Sequence, residues 1–363
     1  MTINSKQEQR KKEHLAIAER LYRQSAFERD QFAQVRLLHP VLPETNQAAV
    51  HPEQLLFNRP IAYPIYINAM TGGAADAMVI NDKLAQLAAH FNLPMAVGSM
   101  SILKQQPELA GTFTIVREQN PNGVIFANLG ADHAPEFAQE MIDLIHADAL
   151  QIHLNAAQEF AMPEGDQDFR WIDNLRALQS TVGQQTPLIA KEVGFGMSAA
   201  SQAALLDLGF NYLDLSGISR TNFIAIEDHR RPTHLVSDYQ DFGLTLIESL
   251  LARLSLRQTV QKQAALTFAS GGIRTPWQAV KAFALGADLV GMSAYFLHLA
   301  LHHPIEEMIT IFQAWLDELN QLLPVFGCTS VADLRQIELI FSPNLISFAD
   351  QIGLDWQQIR TSR

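Results

Sequence analysis

The strongest constraint on the fold is an alternation of short apolar runs with amphipathic stretches, from residue 64 to residue 292. The runs are PIYINA (64–69), PMAVG (94–98), GVIFANL (123–129), ALQIHL (149–154), PLIAKEV (187–193), YLDLS (212–216), LTFAS (266–270) and DLVGM (288–292). Stretches such as 76–91, 135–146 and 197–208 have helical periodicity. Eight buried strands, most followed by a helix, predict a parallel sheet that closes into a (β/α)8 TIM barrel. The alternative, an open doubly wound sheet, is disfavoured because AMTGGAAD follows the first strand where that fold has G-x-G-x-x-G.

The expected organisation is a single α/β barrel with additions at both ends. A helical arm (about 6–30) and a loop (39–64) precede the first strand, so we assign 1–60 to the arm and entry loop, 61–345 to the barrel and 346–363 to a C-terminal tail. About fifty residues separate strands six and seven, and their first part (216–242) is polar. This pattern predicts a long loop after strand six, which is either a substrate lid or a solvated excursion.

Composition disfavours several classes of protein. The formal charge of −12 argues against a general nucleic-acid or anionic-membrane surface. The single Cys328 excludes a disulfide framework, a thiolate zinc site and an iron–sulfur cluster. The polar N-terminus has no apolar signal core, so we expect a cytoplasmic protein. The apolar segment 282–301 contains Asp288 and His298, which favours a buried helix–strand–helix passage over a membrane span.

Polar residues recur at the carboxyl ends of the predicted strands, where barrel enzymes carry their active sites. They are Asn68, Thr71, Ser99, Asn128, His153, Asn155, Lys191, Ser216, Gly271 and Gly272. One polar strand end is usually a cap or a turn, but a series in register predicts a shared site. Lys191 either faces the barrel mouth, where its charge would stabilise an anionic ring, or pairs with its neighbour Glu192.

The loops after the last two strands predict an anion site. SGGIR (270–274) places two glycines after strand seven, with Pro276 near the start of the next helix, and GMSA (291–294) follows strand eight. Glycine lets backbone N–H groups approach an oxyanion closely, and a helix N-terminus attracts negative charge. Barrels that bind phosphorylated cofactors use these loops for the phosphate.

Two further segments each have two possible roles. In QIHLNAAQEF (151–160), Glu159 could hold Mg²⁺ together with phosphate oxygens and water, although a lone loop glutamate is more often solvated. The basic cluster RKKEH (10–14) is either a solvated helix face or a diphosphate clamp over its own or a neighbouring subunit's site.

These motifs together resemble those of the type 2 isopentenyl-diphosphate isomerase family, flavin-dependent barrel enzymes that interconvert isopentenyl and dimethylallyl diphosphate. The matching pieces are RKKEH (10–14), INAMTGG (67–73), VGS (97–99), ANLGA (127–131), QIHLNAAQE (151–159), KEVGFGMS (191–198), the series Ser216, Thr221 and Glu227, SGGIR (270–274) and GMSA (291–294). They span roughly residues 10 to 300, and their combination is more specific than any single piece.

The resemblance implies an FMN site. The ring and ribityl chain would contact Ala69, Met70, Thr71, Ser99, Asn128, Lys191, Ser216 and Thr221, and the phosphate would lie against Gly271, Gly272, Ile273, Arg274, Ser293 and Ala294. In this family the flavin is reduced, normally by NADPH, although the reaction has no net redox change. Reduced FMN is thought to shuttle the proton, with Lys191, Gln158 and Glu227 as the catalytic side chains. An electron-rich ring would stabilise the cation-like state formed when an unactivated alkene is protonated, which no ordinary side chain does easily.

The resemblance also implies how the diphosphate is held. Its ligands would be Arg10, Lys11 and a Mg²⁺ on Glu159, with Ser99, Met100, Ser101, His153, Asn155 and Gln158 nearby. The family commonly has S-Q-R where this chain reads Ser99–Met100–Ser101, so either Lys104 supplies the missing charge or this loop does not touch substrate. The family also often has a Gly-rich turn where Ser219–Arg220 precede Thr221. We expect a homo-oligomer with a small-molecule substrate and no nucleic-acid or membrane partner.

A second class, FMN barrels that oxidise 2-hydroxy acids, would use the same scaffold, lysine and glycine turns. Those oxidases rely on a His-Gly-x-Arg element, and no His-Gly pair occurs in this chain. A barrel nucleotide dehydrogenase would need a loop cysteine, whereas Cys328 lies beyond the last strand. A non-catalytic flavin-binding barrel would not require the basic arm or QIHLNAAQE. The isomerase is therefore the favoured interpretation.

Overall fold

The computed structural model describes residues 13, 16–23, 31–162, 165–218, 223–230, 239, 242–259 and 265–361. Its centre is a closed barrel of eight parallel strands, in which each strand pairs with the next along the chain and the last pairs with the first. The strands are β4 (Ile65–Ile67), β5 (Met95–Ala96), β6 (Ile125–Gly130), β7 (Ala149–Leu154), β8 (Leu188–Glu192), β9 (Tyr212–Asp214), β10 (Leu266–Ser270) and β11 (Leu289–Met292). Each lies inside or within one residue of a predicted apolar run, so the TIM-barrel prediction is confirmed.

Short antiparallel strands add to the barrel. Near the start of the described chain, β1 (Val35–Leu37) pairs with β12 (Leu339–Phe341), and β2 (Gln54–Leu56) pairs with β3 (Arg59–Ile61). Leu56 and Ile61 of this hairpin pack with the barrel-interior side chains Tyr66, Phe126 and Phe268. The hairpin therefore plugs the amino-terminal end of the barrel and leaves the carboxyl end for the site. Neither pair of strands was predicted.

The helices surround the barrel. They are α1 (Ala75–Phe91), α2 (Gly111–Gln119), α3 (Pro135–Ile145), α4 (Ala156–Ala161), α5 (Ile172–Ser180), α6 (Ala199–Asp207), α7 (Phe223–Arg230), α8 (Leu246–Thr259), α9 (Pro276–Ala284), α10 (Ala294–His302), α11 (Ile305–Val325), α12 (Pro343–Gln351) and α13 (Trp356–Thr361). The longest, α11, buries Met308, Phe312, Leu316 and Leu319, which recur every three or four residues and form one apolar stripe. Thr275 and Gln278 form a capping box that fixes the start of α9.

The remaining sequence predictions can be placed on this frame. Residues 282–301 form the end of α9, β11 and most of α10, as predicted. Among the described residues, no helix is long and apolar enough to cross a membrane. Of the predicted arm, 16–23 are helical, and in the predicted long loop α7 and an isolated bridge from Ile218 to Thr245 are described. The domain boundaries at 60 and 345 stay a prediction.

The strand register determines which side chains meet at the carboxyl end. Along β7 and β8, His153 is paired with Lys191, and along β8 and β9, Lys191 is paired with Asp214. On the other side of β7, His153 is paired with Gly130 of β6. Neighbouring strands lie about 4.8 Å apart, so these polar residues are brought together by the backbone itself.

Candidate active site

A cavity of about 870 Å³ opens at the carboxyl ends of the barrel strands. Most of the predicted site residues line it: Ala69, Met70, Thr71, Ser99, Ser101, Asn128, His153, Asn155, Gln158, Glu159, Lys191, Ser216, Gly271, Gly272, Ile273, Arg274, Ser293 and Ala294. Two predicted residues do not line it. Met100 is buried in the core, and Glu227 on α7 is fully buried, whereas its neighbours Phe223 and Ile226 form part of the wall. Arg10, Lys11 and Thr221 lie outside the described residues.

The centre of the barrel mouth holds a buried carboxylate that sequence reasoning missed. Asp214 accepts hydrogen bonds from the Tyr66 hydroxyl (2.6 Å), the Ser270 hydroxyl (2.5 Å) and the Asn68 amide (3.3 Å). Its Oδ2 also lies 3.1 Å from Lys191 Nζ, in an ion pair whose side chains are 0 % and 8 % exposed. Burial and, after it, the Asp214 charge hold the pKa of Tyr66 well above its ordinary value, so the phenol stays a donor.

Lys191 therefore forms its ion pair with Asp214 rather than with the neighbouring Glu192. The contact of Lys191 with Glu192 is through the backbone, since Lys191 Nζ donates to the Glu192 carbonyl at 3.3 Å. The Glu192 carboxylate instead accepts the N–H groups of Phe195 (2.6 Å) and Gly196 (2.9 Å), which fixes the loop after β8. Burial raises the pKa of Glu192 to about 7. Lys191 thus lines the cavity as a cation whose position is set from β9.

A chain of amides orients His153. Asn128 Nδ2 donates to Gln151 Oε1 (3.1 Å), and Gln151 Nε2 donates to Asn68 Oδ1 (3.4 Å). The remaining Asn128 oxygen lies 2.9 Å from His153 Nδ1 and can only accept, so Nδ1 carries the proton. Burial lowers the pKa of His153 to about 4, and the ring is neutral near pH 7 with a lone pair on Nε2.

The loop after β5 contributes two hydroxyls and not the methionine between them. Ser99 and Ser101 have their Oγ atoms 2.9 Å apart, and His133 Nε2 lies 2.7 Å from Ser101 Oγ. Lys104, Asp132 and His133 line the same part of the cavity. Burial lowers the pKa of His133. The loop therefore reaches the cavity. Lys104 lies one turn after Ser101, the position at which the family's S-Q-R has its arginine.

The carboxylate of Glu159 lies at the cavity wall on α4. Its Oε1 accepts from Asn155 Nδ2 and its Oε2 from the backbone N–H of Asp166, both at 2.8 Å. These bonds fix the orientation of the carboxylate at the cavity wall. The amide of Asn155 is also 3.5 Å from Gln158 Oε1.

The predicted phosphate loops meet at one end of the cavity. Gly271 and Gly272 have φ angles of +104° and +83°, the left-handed region that favours glycine. The capping box at Thr275 already occupies N–H groups of α9, but the start of α10 has no side-chain cap at Ser293. The uncapped start of α10 is therefore the more available anion site of the two helix ends.

Three of the missed residues, Tyr66, Gln151 and Asp214, each lie two positions before a predicted strand-end residue. Asp214, Tyr66 and Gln151 are fully buried and support the residues that line the cavity. A signal existed, because Asp214 interrupts the apolar run YLDLS and a buried carboxylate needs a partner. His133 had no comparable signal, since it follows a strand within a polar turn.

Comparison with known proteins places these observations in a family. Residues 241–340 match a model described as FMN-dependent dehydrogenase. The chain is 41 % identical over 351 residues to the isopentenyl-diphosphate delta-isomerase of Limosilactobacillus reuteri subsp. reuteri (strain JCM 1112), covering 96 % of this chain and 99 % of that protein. It is 40 % identical over 354 residues to the isomerase of the same name from Staphylococcus saprophyticus, covering 97 % and 99 %.

Solved structures show a similar fold at low sequence identity. A mutant flavocytochrome b2 with benzoylformate superposes with a TM-score of 0.64 and 16 % identity, covering 92 % of this chain and 80 % of that one. A mutant mandelate oxidase with an FMN adduct gives 0.58 and 15 %, covering 91 % and 92 %. At this identity the likeness concerns the barrel architecture alone.

Proposed function

This chain belongs to the isopentenyl-diphosphate delta-isomerase family, and we propose that it interconverts isopentenyl and dimethylallyl diphosphate with FMN as cofactor. The observation that carries the proposal is the identity of about 40 % over nearly the full length to proteins of that name. The oxidase alternative is supported only by fold likeness at 15–16 % identity. The absence of any His-Gly pair from the chain also argues against it.

The cavity fits FMN by its shape and donors. Its phosphate would lie against Gly271, Gly272 and the uncapped start of α10, where backbone N–H groups and the helix dipole favour an anion. Lys191 would face the ring and stabilise negative charge on it. When bound and reduced, FMN supplies an electron-rich ring that can exchange a proton with an alkene and stabilise positive charge.

The chain's own residues would position the substrate and control its protons. Neutral His153 presents a lone pair on Nε2, and Gln158 adds an amide that orients without donating a proton easily. Glu227 is buried behind the cavity wall, so its role would be exerted through neighbouring side chains rather than by contact with substrate. Tyr66, Ser270 and Asn68 hold the Asp214 carboxylate, which in turn would keep Lys191 fixed at the cavity.

The diphosphate would bind at the rim between Glu159, the loop 99–101 and the N-terminal arm. Glu159 fits Mg²⁺ because it is a hard oxygen donor whose orientation is fixed, and a diphosphate can complete the coordination. Among the described residues no group of three metal-ligating side chains surrounds Glu159, which fits a shared rather than a closed site. Arg10, Lys11 and Lys104 are the cations proposed for the phosphate oxygens.

The test is anaerobic incubation of the purified protein with isopentenyl diphosphate, FMN, NADPH and Mg²⁺. We expect dimethylallyl diphosphate to form, and its formation to stop when FMN, the reductant or Mg²⁺ is omitted in turn. Replacing NADPH by NADH or dithionite tests the choice of reductant separately from the isomerisation. If no product forms in the complete mixture while a 2-hydroxy acid reduces the flavin, the proposed function is wrong.

A further inference from the structure

A cluster outside the cavity brings three metal-ligating side chains together. Glu19 lies on the N-terminal helical segment 16–23, and His298 and His302 lie one turn apart on α10. Their ligand atoms are all within 4.8 Å of one another. Glu19 Oε1 is 2.9 Å from both His298 Nδ1 and His302 Nε2. Histidines at i and i+4 on one helix face, joined by a carboxylate, form a donor set typical of zinc and similar ions.

The contacts within this cluster are not satisfied by hydrogen bonds alone. Arg23 Nη2 lies 2.7 Å from His302 Nε2, the same atom that faces Glu19 Oε1. One ring nitrogen either donates to the carboxylate or accepts from the guanidinium, so only one of these two contacts can be a hydrogen bond. Glu19 Oε2, moreover, is buried and has no hydrogen-bond partner among the described residues. A cation that Glu19 binds through both carboxylate oxygens, together with the two imidazoles, would give Oε2 a partner and relieve the competition at His302 Nε2.

We propose that Glu19, His298 and His302 form a site for a divalent transition metal of the zinc class. The side chains of the three residues are 12 %, 28 % and 34 % exposed, so the cluster is partly desolvated yet open to solvent for ion entry. Arg23 already pairs with the Glu19 carboxylate, with its Nε 2.7 Å from Oε1, and the metal would replace this pair. The Arg23 side chain is 58 % exposed, so it can turn into solvent at little cost. Water or a fourth donor would complete the coordination.

The metal would fasten the N-terminal helical segment to the barrel beside the cavity. Ala18, next to Glu19, lines the cavity. The Tyr22 ring stacks on the His298 ring, with the two centroids 4.8 Å apart. The Arg274 guanidinium also lies over the Tyr22 ring, 3.9 Å from its centroid. Arg274 Nη1 also donates to the Tyr22 carbonyl at 3.2 Å. One ion would therefore hold together the segment, α10 and the loop that carries Arg274.

The experiment titrates Co²⁺ into the untagged, metal-stripped full-length protein and follows the visible absorption of nitrogen-bound cobalt, without added Mg²⁺ or substrate. We expect saturable binding that Zn²⁺ reverses. Glu19→Gln and His302→Gln should each weaken binding by at least the roughly 10- to 100-fold that loss of even an outer partner costs a metal site. Arg23→Ala should tighten binding, because it removes a competing donor.

The matched control is His303→Ala. His303 follows His302 directly but pairs with Glu307 at 2.9 Å, so its loss should leave Co²⁺ affinity unchanged. As a second readout, Zn²⁺ should slow tryptic cleavage after the exposed Arg20 in the parent and not in Glu19→Gln. The proposal is overturned if the parent gives no cobalt spectrum, if Glu19→Gln binds as tightly as the parent, or if Arg23→Ala weakens binding. Because none of these measurements uses turnover, they are independent of the isomerase assay.

Discussion

Removal of the Asp214 charge should destabilise the protein far more than removal of the Lys191 charge. Lys191→Met leaves Asp214 with three donors, from Tyr66, Ser270 and Asn68. Asp214→Asn leaves the buried Lys191 ammonium without a carboxylate and with neutral oxygens as acceptors, among them the Glu192 carbonyl at 3.3 Å. Breaking one side of a buried ion pair typically costs about 3–5 kcal/mol, and the surviving hydrogen bonds reduce this only for the lysine variant.

Urea denaturation of the FMN-free protein at pH 7 measures the difference. We expect the free energy of unfolding to fall by about 3–5 kcal/mol in Asp214→Asn and by less than half of that in Lys191→Met. The double variant should recover most of the loss, since it buries no unpaired charge, and yet remain inactive because the cavity has lost its cation. The reasoning is refuted if the double variant is as unstable as Asp214→Asn, or if the two single variants are equally unstable.

Three further predictions concern titration and metal binding. His153 should titrate near pH 4 by NMR in the free protein, and because its pKa is lowered by burial, the stability it contributes is complete above about pH 6.5 and is lost as pH falls towards 4. Added pyrophosphate should raise that pKa; an unchanged titration would place the anion elsewhere. Burial raises the pKa of Glu192 to about 7, so the stability that Glu192 contributes is complete below about pH 4.5 and is lost as pH rises through 7. Glu192→Gln should remove this pH dependence from the urea denaturation curves. Glu159→Gln should raise the Mg²⁺ concentration needed for half-maximal turnover while leaving FMN affinity unchanged, and identical Mg²⁺ curves would remove Glu159 from the metal site.

The barrel could be predicted because its strands are buried on both faces and read as continuous apolar runs. The hairpin of β2 and β3 could not be found in this way. Its turn residues Phe57 and Asn58 both have positive φ angles, of 51° and 60°. Such a turn is usually signalled by Asn-Gly or Asp-Gly, so a phenylalanine in the first position concealed it. The hairpin that closes the barrel is therefore stabilised by contacts with the barrel interior, which a local sequence pattern does not reveal.

For the loop 99–101, the sequence locates the motif but does not show which of its side chains face the cavity. The sequence left open whether Ser99–Met100–Ser101 touches the cavity. In the structure the backbone turns as a 3-10 helix (Met100–Lys104), which turns Ser99 and Ser101 to the cavity and Met100 into the core. No sequence pattern connects Ser101 with His133, because the two are 32 residues apart and only the fold brings them together.

Lys191 illustrates the remaining limit, because its neighbour in sequence was the wrong partner. Glu192 is adjacent, but successive side chains of a strand point to opposite faces, so the two carry their charges to different sides of β8. The residue that lies beside Lys191 on the same face is set by the register between β8 and β9, which pairs it with Asp214. The alternation of side chains along each strand allows Lys191 and Asp214 both to face inward. A shift of one residue in β9 would turn Asp214 outward and leave Lys191 without its carboxylate. The side chains that line the cavity could therefore be read from the strand ends, whereas the carboxylate that holds the central cation required the closed barrel.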